Sequence, residues 1–502
     1  MRQHRALVVL AAAACLASVG TAPAQPGEGA ISPRLRAAFA ADPKTPRPVW
    51  VFLADKGPGA AERLAEAEAL LWPRARSRRA RRGATPGVTV ADLPIFPDYL
   101  VALAPRVNRI RHTSRWLNAV SVEATAEQAS ALEALPFVTR LAPVERYARR
   151  PAPLRSATRH PPDPSDVPAG PREGPPAGQA ESAIEYGPAL DQLVQINVPA
   201  VHDMGLHGQD VVIAVFDTGF DNLVHEAFSA VHIVAAYDFV NGDPDVGSGL
   251  DRGDGSHGTQ VLSVLGGYKT GELVGPAFAA SFILAKTEDT GSETPVEEDN
   301  WAAAAEWAEA LGAEIITTSL GYTVFDSGTG YGPEDLDGRT AVTTLAAQRA
   351  AELGVVVLAS AGNGGEAPGD PGRNTLVAPA DGASVLAVGG VDSSGERVAF
   401  SSVGPTADGR IKPDVMARGV GVRTAGTSSV DQYVYSAGTS FACPLAAGVA
   451  ALVLQAHPDY APAQVMLALR TTASRSDAPD NRYGWGILDA LAAIRADLAA
   501  EP

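Results

Sequence analysis

Cysteine is almost absent from this 502-residue chain, which contains only Cys15 and Cys443. Cys15 lies in an apolar segment near the N-terminus that has the features of a cleaved leader, so removal of that segment leaves Cys443 without a partner. A disulfide framework is therefore excluded. We expect packing, with or without bound ions, to stabilise the protein.

Positive charge is scarce as well. The chain has 40 Lys and Arg against 57 Asp and Glu, a net charge of -17, and we expect no nucleic-acid partner. Residues 1–181 carry 25 basic and 16 acidic side chains, whereas residues 182–502 carry 15 and 41. Because the two parts have opposite net charges, we predict that the N-terminal part binds to the C-terminal part.

The apolar run at the N-terminus is short. It spans residues 6–19, follows Arg2 and Arg5, and is followed by a small-x-small site that ends at Ala24. A run of about 14 residues is shorter than the 18 to 20 that cross a bilayer. This order of basic, apolar and small residues predicts a secretory signal peptide over residues 1–24, no membrane anchor, and a secreted protein that is extracellular, or periplasmic in a Gram-negative bacterium.

A candidate catalytic residue lies in segment 438–444, which begins an apolar helix predicted to run to about Gln455. Ser440 falls in the first turn of this helix, beside unpaired backbone N–H groups and the positive end of the helix dipole. A nucleophile is well placed there. An ordinary helix cap gives the same pattern, so this segment alone supports both interpretations.

Two further segments favour the nucleophile. Asp217 ends the apolar run 211–216, and His257 opens a second small-residue helix over 260–266. An Asp, a His and a Ser in this chain order, each at the end of an element, match the order of the subtilisin triad. On these residues the chain resembles the subtilisin-like serine proteases (subtilases, peptidase S8 family). The likeness extends over residues 185–494 and includes segments 318–321, 360–363, 400–404, 412–414 and 484–490.

The resemblance implies a role for each triad residue. Ser440 would attack the scissile carbonyl, His257 would take and return the proton, and Asp217 would hold the imidazole. Asn363 would donate to the oxyanion; without the resemblance, a turn residue is the simpler interpretation.

Substrate contacts are implied in the same way. Ser319, Leu320 and Gly321 would pair with substrate backbone as an added strand, although a strand that ends in a turn explains them equally. The few bulky charged residues around 319–321 and 360–363 favour an apolar or aromatic residue before the cut.

The fold class follows from apolar strands that alternate with helices. We predict an α/β, subtilisin-like three-layer fold with a mostly parallel central sheet. A capping box with Pro295 predicts a helix that begins near Thr294 and stops at Gly312. The predicted strands are 211–216, 281–286, 315–318, 355–360 and 385–388.

Residues 48–145 predict a small α+β domain, with strands at 48–53, 99–104, 116–122 and 137–141 and helices at 60–82 and 125–135. This pattern resembles the inhibitory propeptide of subtilisin-like proteases; the alternative is an unrelated binding domain. The arginine-rich run 74–82 predicts a solvated loop, with a processing site as the alternative.

The domain boundaries follow from these patterns. Residues 1–24 are the signal peptide, 25–148 the propeptide, 149–181 a Pro/Gly-rich linker and 182–498 the peptidase domain. The linker is where we expect the protein to cut itself. The propeptide would then act as an intramolecular inhibitor and chaperone of a monomeric enzyme with protein or peptide substrates.

The chemistry requires no cofactor, although the resemblance implies structural calcium. Acidic residues that could bind it are Asp221, Glu226, Asp243, Asp245, Asp251, Asp254 and those of segment 288–299. None has a recognisable ligand spacing, and a solvated acidic face is the alternative.

Three other functions remain as alternatives. Asp217 and Asp326 each precede a small residue and a glycine, as in aspartic proteases. Ser440 in the setting 438–442 is a near match to a lipase elbow. An inactive binding module is the third alternative, and retention of Asn363 with the three triad residues argues against it.

Overall fold

The computed structural model describes residues 30–83, 87–144, 184–248, 255–288, 298–321, 331–370, 372–496 and 498, and the backbone of 146–147 and 296–297. The predicted signal peptide (1–24) and linker (149–181) lie outside the described residues.

The described residues form thirteen helices and seventeen strands. The helices are α1 (Pro33–Ala41), α2 (Leu64–Ala69), α3 (Pro73–Arg82), α4 (Pro97–Leu103), α5 (Ala126–Glu133), α6 (Leu190–Val194), α7 (Val198–His202), α8 (Gly255–Gly266), α9 (Glu298–Leu311), α10 (Val342–Glu352), α11 (Thr439–Ala456), α12 (Pro462–Thr471) and α13 (Ala490–Arg495). The strands are β1 (Arg47–Leu53), β2 (Arg109–Ser114), β3 (Ala119–Ala124), β4 (Val138–Pro143), β5 (Arg146–Tyr147), β6 (Val212–Asp217), β7 (His232–Asp238), β8 (Tyr268–Lys269), β9 (Leu273–Val274), β10 (Ser281–Lys286), β11 (Val296–Glu297), β12 (Ile315–Thr318), β13 (Val356–Ser360), β14 (Val385–Val391), β15 (Val415–Arg418), β16 (Val420–Ala425) and β17 (Tyr433–Ala437).

A seven-stranded parallel sheet forms the centre of the peptidase part, in the order β15-β14-β13-β12-β6-β10-β7. The inner strands consist mostly of buried apolar residues because helices cover both faces of the sheet. One core contains α8 and α11, and the other contains α9 and α10. The predicted three-layer α/β fold is confirmed. The bounds of β10 and β12 match the prediction to the residue.

Helix α11 is long and apolar enough to cross a bilayer, a point that the sequence analysis missed. In the structure, 89% of its apolar window is buried inside the protein. The helix therefore belongs to the core on one face of the central sheet.

The N-terminal part is a four-stranded antiparallel sheet in the order β2-β3-β1-β4. Helix α5 begins with the predicted capping box, in which Thr125 Oγ1 and Gln128 Oε1 accept from each other's backbone N–H groups. Apolar residues between the sheet and its helices form a separate core that includes Val51, Val120 and Leu132. The predicted small α+β domain is confirmed.

Three predictions about local structure are wrong. Residues 99–103 lie in helix α4 instead of a strand, because Pro97 occupies its first position and favours a helical start. The predicted helix 60–82 is broken into α2 and α3, since Pro73 cannot continue a helix and begins a new one. Helix α9 begins at Glu298, after the short strand β11, although it ends before Gly312 as predicted.

The antiparallel sheet packs on α9, and acidic residues at the start of this helix accept hydrogen bonds from it. Glu298 Oε1 accepts from Trp50 Nε1 at 3.0 Å. Asp299 Oδ2 accepts from Ser121 Oγ at 2.6 Å and from Arg111 Nε at 2.8 Å. Carboxylates at a helix N-terminus also face the positive end of its dipole.

Arginines of α3 bind the opposite end of α9. Arg78 is fully buried and donates to the carbonyl oxygens of Ala313 at 2.5 Å, Glu309 at 3.2 Å and Leu353 at 3.2 Å. These carbonyls lie at or just beyond the C-terminal ends of α9 and α10, where carbonyls lack partners within the helix. Both Arg78 and Arg79 also bind the Glu309 carboxylate.

The prediction of a solvated loop over residues 74–82 is therefore wrong. The residues form helix α3, and Arg78, Arg79 and Arg82 are buried. The prediction that the basic part binds the acidic part is confirmed. Further ion pairs between the two parts are Arg34–Asp335, Arg74–Glu314, Arg82–Glu314, Arg111–Asp299 and Arg115–Glu306.

Burial alone would raise the pKa of Glu309, but the hydrogen bonds from Arg79 and the charge of Arg78 outweigh it, and the pKa is lowered. A carboxyl group with a lowered pKa stabilises the folded protein above its unfolded pKa, near 4.3. That contribution is lost as the pH falls through the folded pKa.

We predict that Glu309→Ala destabilises the uncleaved protein by about 3 to 5 kcal/mol, because it leaves Arg78 and Arg79 buried without their carboxylate. Urea unfolding at neutral pH, in a Ser440→Ala background that keeps the chain uncut, measures this loss. In acid the difference from the parent protein should shrink.

The control is Glu66→Ala, which removes the exposed Arg63–Glu66 pair. An exposed pair contributes about 0 to 1 kcal/mol. Equal losses for Glu66→Ala and Glu309→Ala would contradict the role given to the buried cluster.

Candidate active site

The predicted triad residues lie on the side of the central sheet where its parallel strands end. Asp217 is the last residue of β6, His257 lies in the first turn of α8, and Ser440 is the second residue of α11. Open parallel sheets place their functional sites at the carboxyl ends of strands.

Asp217 and His257 are hydrogen-bonded. Asp217 is fully buried, and its Oδ1 lies 2.6 Å from His257 Nδ1 and accepts from the Thr218 N–H at 2.8 Å. Because a carboxylate can only accept, Nδ1 carries the proton and the neutral ring has its lone pair on Nε2. Within the described residues, Nε2 is buried and has no hydrogen-bond partner. The ring is therefore oriented as a proton acceptor.

Gly258 explains how His257 reaches Asp217. A Cβ atom added to Gly258 would overlap the carbonyl oxygen of Gly219 and lie 3.0 Å from Asp217 Cβ. Only a glycine lets α8 come this close to the end of β6.

Ser440 contacts the end of β12. Its Oγ donates to the Ser319 carbonyl at 3.1 Å, and Ser319 Oγ donates to the Ser440 carbonyl at 2.7 Å. The Ser440 hydroxyl is therefore hydrogen-bonded to Ser319 and not to His257 in this structure. Sequence reasoning assigned Ser319 to substrate binding and missed this contact, for which the sequence holds no signal.

Asn363 follows β13 and binds the start of α11. Its Oδ1 accepts from Thr439 N and Thr439 Oγ1, each at 3.0 Å. Since a backbone N–H can only donate, the amide oxygen faces Thr439 and Nδ2 faces away. In the part of the chain that the structure describes, Nδ2 has no acceptor, and the Ser440 N–H lies in the first helical turn. These two donors are available to an anion.

The predicted substrate segment leaves the sheet directly after β12. Ser319 and Leu320 are buried, and Gly321 is exposed. Residues 322–330, which include Asp326 of the aspartic-protease alternative, lie outside the described residues. Among the described residues, Asp217 is hydrogen-bonded to an imidazole and to no second carboxylate.

The acidic residues considered for calcium are mostly engaged. Among the residues the structure describes, no three His, Cys, Asp or Glu side chains are grouped as a metal site. Asp221 accepts from Ser248 N at 2.7 Å, and Glu226 binds Lys269 Nζ at 2.6 Å. Asp243 accepts from the N–H of Asp245. Asp251 and Asp254 lie outside the described residues, and no calcium ligand is assigned.

Comparison with known sequences identifies the class. Residues 208–486, more than half of the chain, match the peptidase S8 subtilase family, and residues 48–159 match the peptidase S8 propeptide domain of Bacteroidota. The chain therefore belongs to the subtilase family of serine endopeptidases, with an N-terminal propeptide.

Individual relatives support the same family assignment. Subtilisin NAT of Bacillus subtilis subsp. natto is 33% identical over 324 residues, which cover 64% of this chain and 73% of that protein. Subtilisin of Bacillus pumilus is 32% identical over 318 residues, covering 62% and 99%. The structure of fervidolysin from Fervidobacterium pennivorans, a keratinolytic enzyme related to subtilisin, shares the fold at 21% identity and a TM-score of 0.58; the match covers 91% of this chain and 62% of that one.

Phe441 packs against His257, the candidate triad histidine. The two ring centroids lie 5.7 Å apart. A phenylalanine at this position carries no oxidisable sulfur. Cys443 is fully buried, and burial raises its pKa to about 12, which keeps it a thiol.

We predict that peroxide inactivates the enzyme slowly. Phe441→Met should make inactivation several-fold faster, because oxidation would place beside His257 a sulfoxide that is more polar and bulkier than the methionine thioether. Residual activity after timed exposure measures this. Leu445→Met, which places a sulfur one turn further along α11, is the control. Rapid inactivation of the wild type, with sulfonic acid at Cys443, would contradict the prediction.

Proposed function

We propose that the chain is a secreted serine endopeptidase that acts through Asp217, His257 and Ser440 by way of an acyl-enzyme and matures by cutting itself. The main support is the buried Asp217–His257 hydrogen bond of 2.6 Å, which leaves the second ring nitrogen without a partner among the described residues. Ser440 and the two N–H donors that have no acceptor in this part of the chain lie at the neighbouring helix start.

The first half of the reaction forms the acyl-enzyme. Ser440 Oγ bonds to the scissile carbonyl carbon while His257 Nε2 takes the hydroxyl proton, and Asp217 stabilises the resulting imidazolium. The carbonyl oxygen becomes an oxyanion that accepts from Asn363 Nδ2 and the Ser440 N–H. The C–N bond then breaks, and His257 returns the proton to the leaving amine.

The second half reverses these roles with water. His257 takes a proton from a water molecule as its oxygen bonds to the acyl carbon, and the same two donors hold the second oxyanion. The ester bond to Ser440 breaks, Oγ recovers its proton from His257, and the acid product leaves. No step needs a metal or an organic cofactor.

The propeptide is proposed to inhibit by occupying the substrate groove. Its strand β5 pairs antiparallel with β11, with Tyr147 opposite Val296 and Arg146 opposite Glu297. A chain added to an edge strand is how extended peptides bind proteins. The chain then continues towards the proposed cut within residues 149–181.

We also propose where the enzyme acts and in which oligomeric state. The leader 1–24 directs export, and the enzyme acts as a monomer on protein or peptide substrates. Export is usual for the family, and all three triad residues come from one chain. These two facts support secretion and a monomeric enzyme.

We predict that a fluorophosphonate labels one residue, Ser440, in the matured wild-type enzyme, because phosphonylation requires an activated serine. His257→Ala should abolish labelling, and Asn363→Ala should slow it by about 10² to 10³, the effect of losing one oxyanion donor. Peptide mass mapping identifies the labelled residue.

The control is His207→Ala, a histidine of the same domain outside the site. Equal labelling of the His257→Ala variant, or a label on another serine, would contradict the assigned roles. Absence of any label in the wild type would favour an inactive binding module.

A further inference from the structure

Two backbone segments flank Ser440. Strands β12 and β13 are parallel neighbours, with Thr318 opposite Ala359, so the segments that follow them leave the sheet side by side. Ser319 in the first segment and Asn363 in the second both contact the start of α11. The attacked carbonyl must lie at Ser440 Oγ. The side chain one carbon away, that of the P1 residue, therefore enters the gap between the two segments.

Glycines face this gap from both sides, and Val377 lies between them. A Cβ atom added to Gly321 would overlap Val377 Cγ2, and one added to Gly362 would lie 2.8 Å from Val377 Cγ1. Each methyl group of Val377 is thus in contact with one wall. The absent side chains of Gly321 and Gly362 leave room that the valine occupies.

Val377 is held in place. It is 9% exposed, its carbonyl accepts from Ala380 N at 2.9 Å, and a β-branched side chain has few rotamers. The second wall is fixed by Ser402, whose N–H donates to the Gly362 carbonyl at 3.0 Å and whose Oγ accepts from Gly364 N at 3.0 Å. The backbone of Val377 and this wall therefore cannot shift without loss of these bonds.

We propose that Val377 closes the P1 pocket, so that the enzyme prefers a small P1 residue such as alanine to an aromatic or long one. This inference rests on the proposed function and names its substrate class. A large side chain would have to displace methyl groups packed against both walls, which close-packed interiors resist. The proposal narrows the apolar or aromatic preference that the sequence suggested to small apolar residues.

Peptide p-nitroanilides that differ only in P1, with Ala, Phe or Lys, test the proposal on the matured enzyme. We expect kcat/KM for Ala to exceed that for Phe by about 10-fold or more, since small differences in pocket filling discriminate by about 10- to 200-fold. Val377→Gly should raise kcat/KM for Phe within that range while the value for Ala changes far less. Val377→Ala should give a smaller change in the same direction, and it decides the test if the glycine variant does not accumulate.

Val398→Ala is the matched control. Val398 is also 9% exposed but packs against Gly390, which lies near Thr439, so a second control, Val356→Ala, is placed at the start of β13, the end of that strand remote from the gap. Truncation of Val356 should leave the Ala/Phe ratio unchanged. A wild-type preference for Phe or Lys would overturn the inference, as would an unchanged ratio in both Val377 variants.

Titration with a small fluorophosphonate distinguishes failure of the P1 preference from failure of the proposed function. A wild-type enzyme that is labelled and cleaves the Phe or Lys substrate best keeps its proposed function and loses only the P1 preference. A protein that is neither labelled nor active overturns the proposed function and this inference with it.

Discussion

The buried ion cluster around Glu309 sets the position of the propeptide on the enzyme. Arginine side chains are rarely fully buried, and an unpaired one costs several kcal/mol. Here two arginines of α3 share the Glu309 carboxylate, and Arg78 also binds carbonyls at the ends of α9 and α10. Each part of the chain therefore supplies the charges that the other must bury, and the two are matched only in this arrangement.

The contacts with α9 also explain where strand β5 of the propeptide lies. Helix α9 is held at its C-terminal end by α3 and at its N-terminal end by Trp50, Ser121 and Arg111. Strand β11 immediately precedes α9, so a propeptide docked on the whole helix brings its own strand β5 to β11. One interface thus contains both the docking contacts on α9 and the β5–β11 pairing on which the proposed inhibition rests.

Much of the candidate site was predictable because its signals are local. Asp217, His257 and Ser440 each stand where an apolar run meets small residues, and the strands that carry such motifs were predicted within about one residue. The features that were not predicted depend on contacts between residues that are far apart in the sequence. The arginine run was predicted to be solvated because Glu309 lies some 230 residues further along the chain. Val377 could not be placed between Gly321 and Gly362, since no local pattern brings three separate loops together.

Self-conversion of the precursor by Ser440 is the proposal on which the roles of the triad and of the propeptide both depend. It is tested by the intact mass of the protein secreted by cells that express wild type or, separately, Ser440→Ala. The wild type should appear as a fragment that begins between residues 149 and 184, whereas the variant should remain joined to its propeptide. If both proteins stay full length, or both shorten alike, the claim is contradicted.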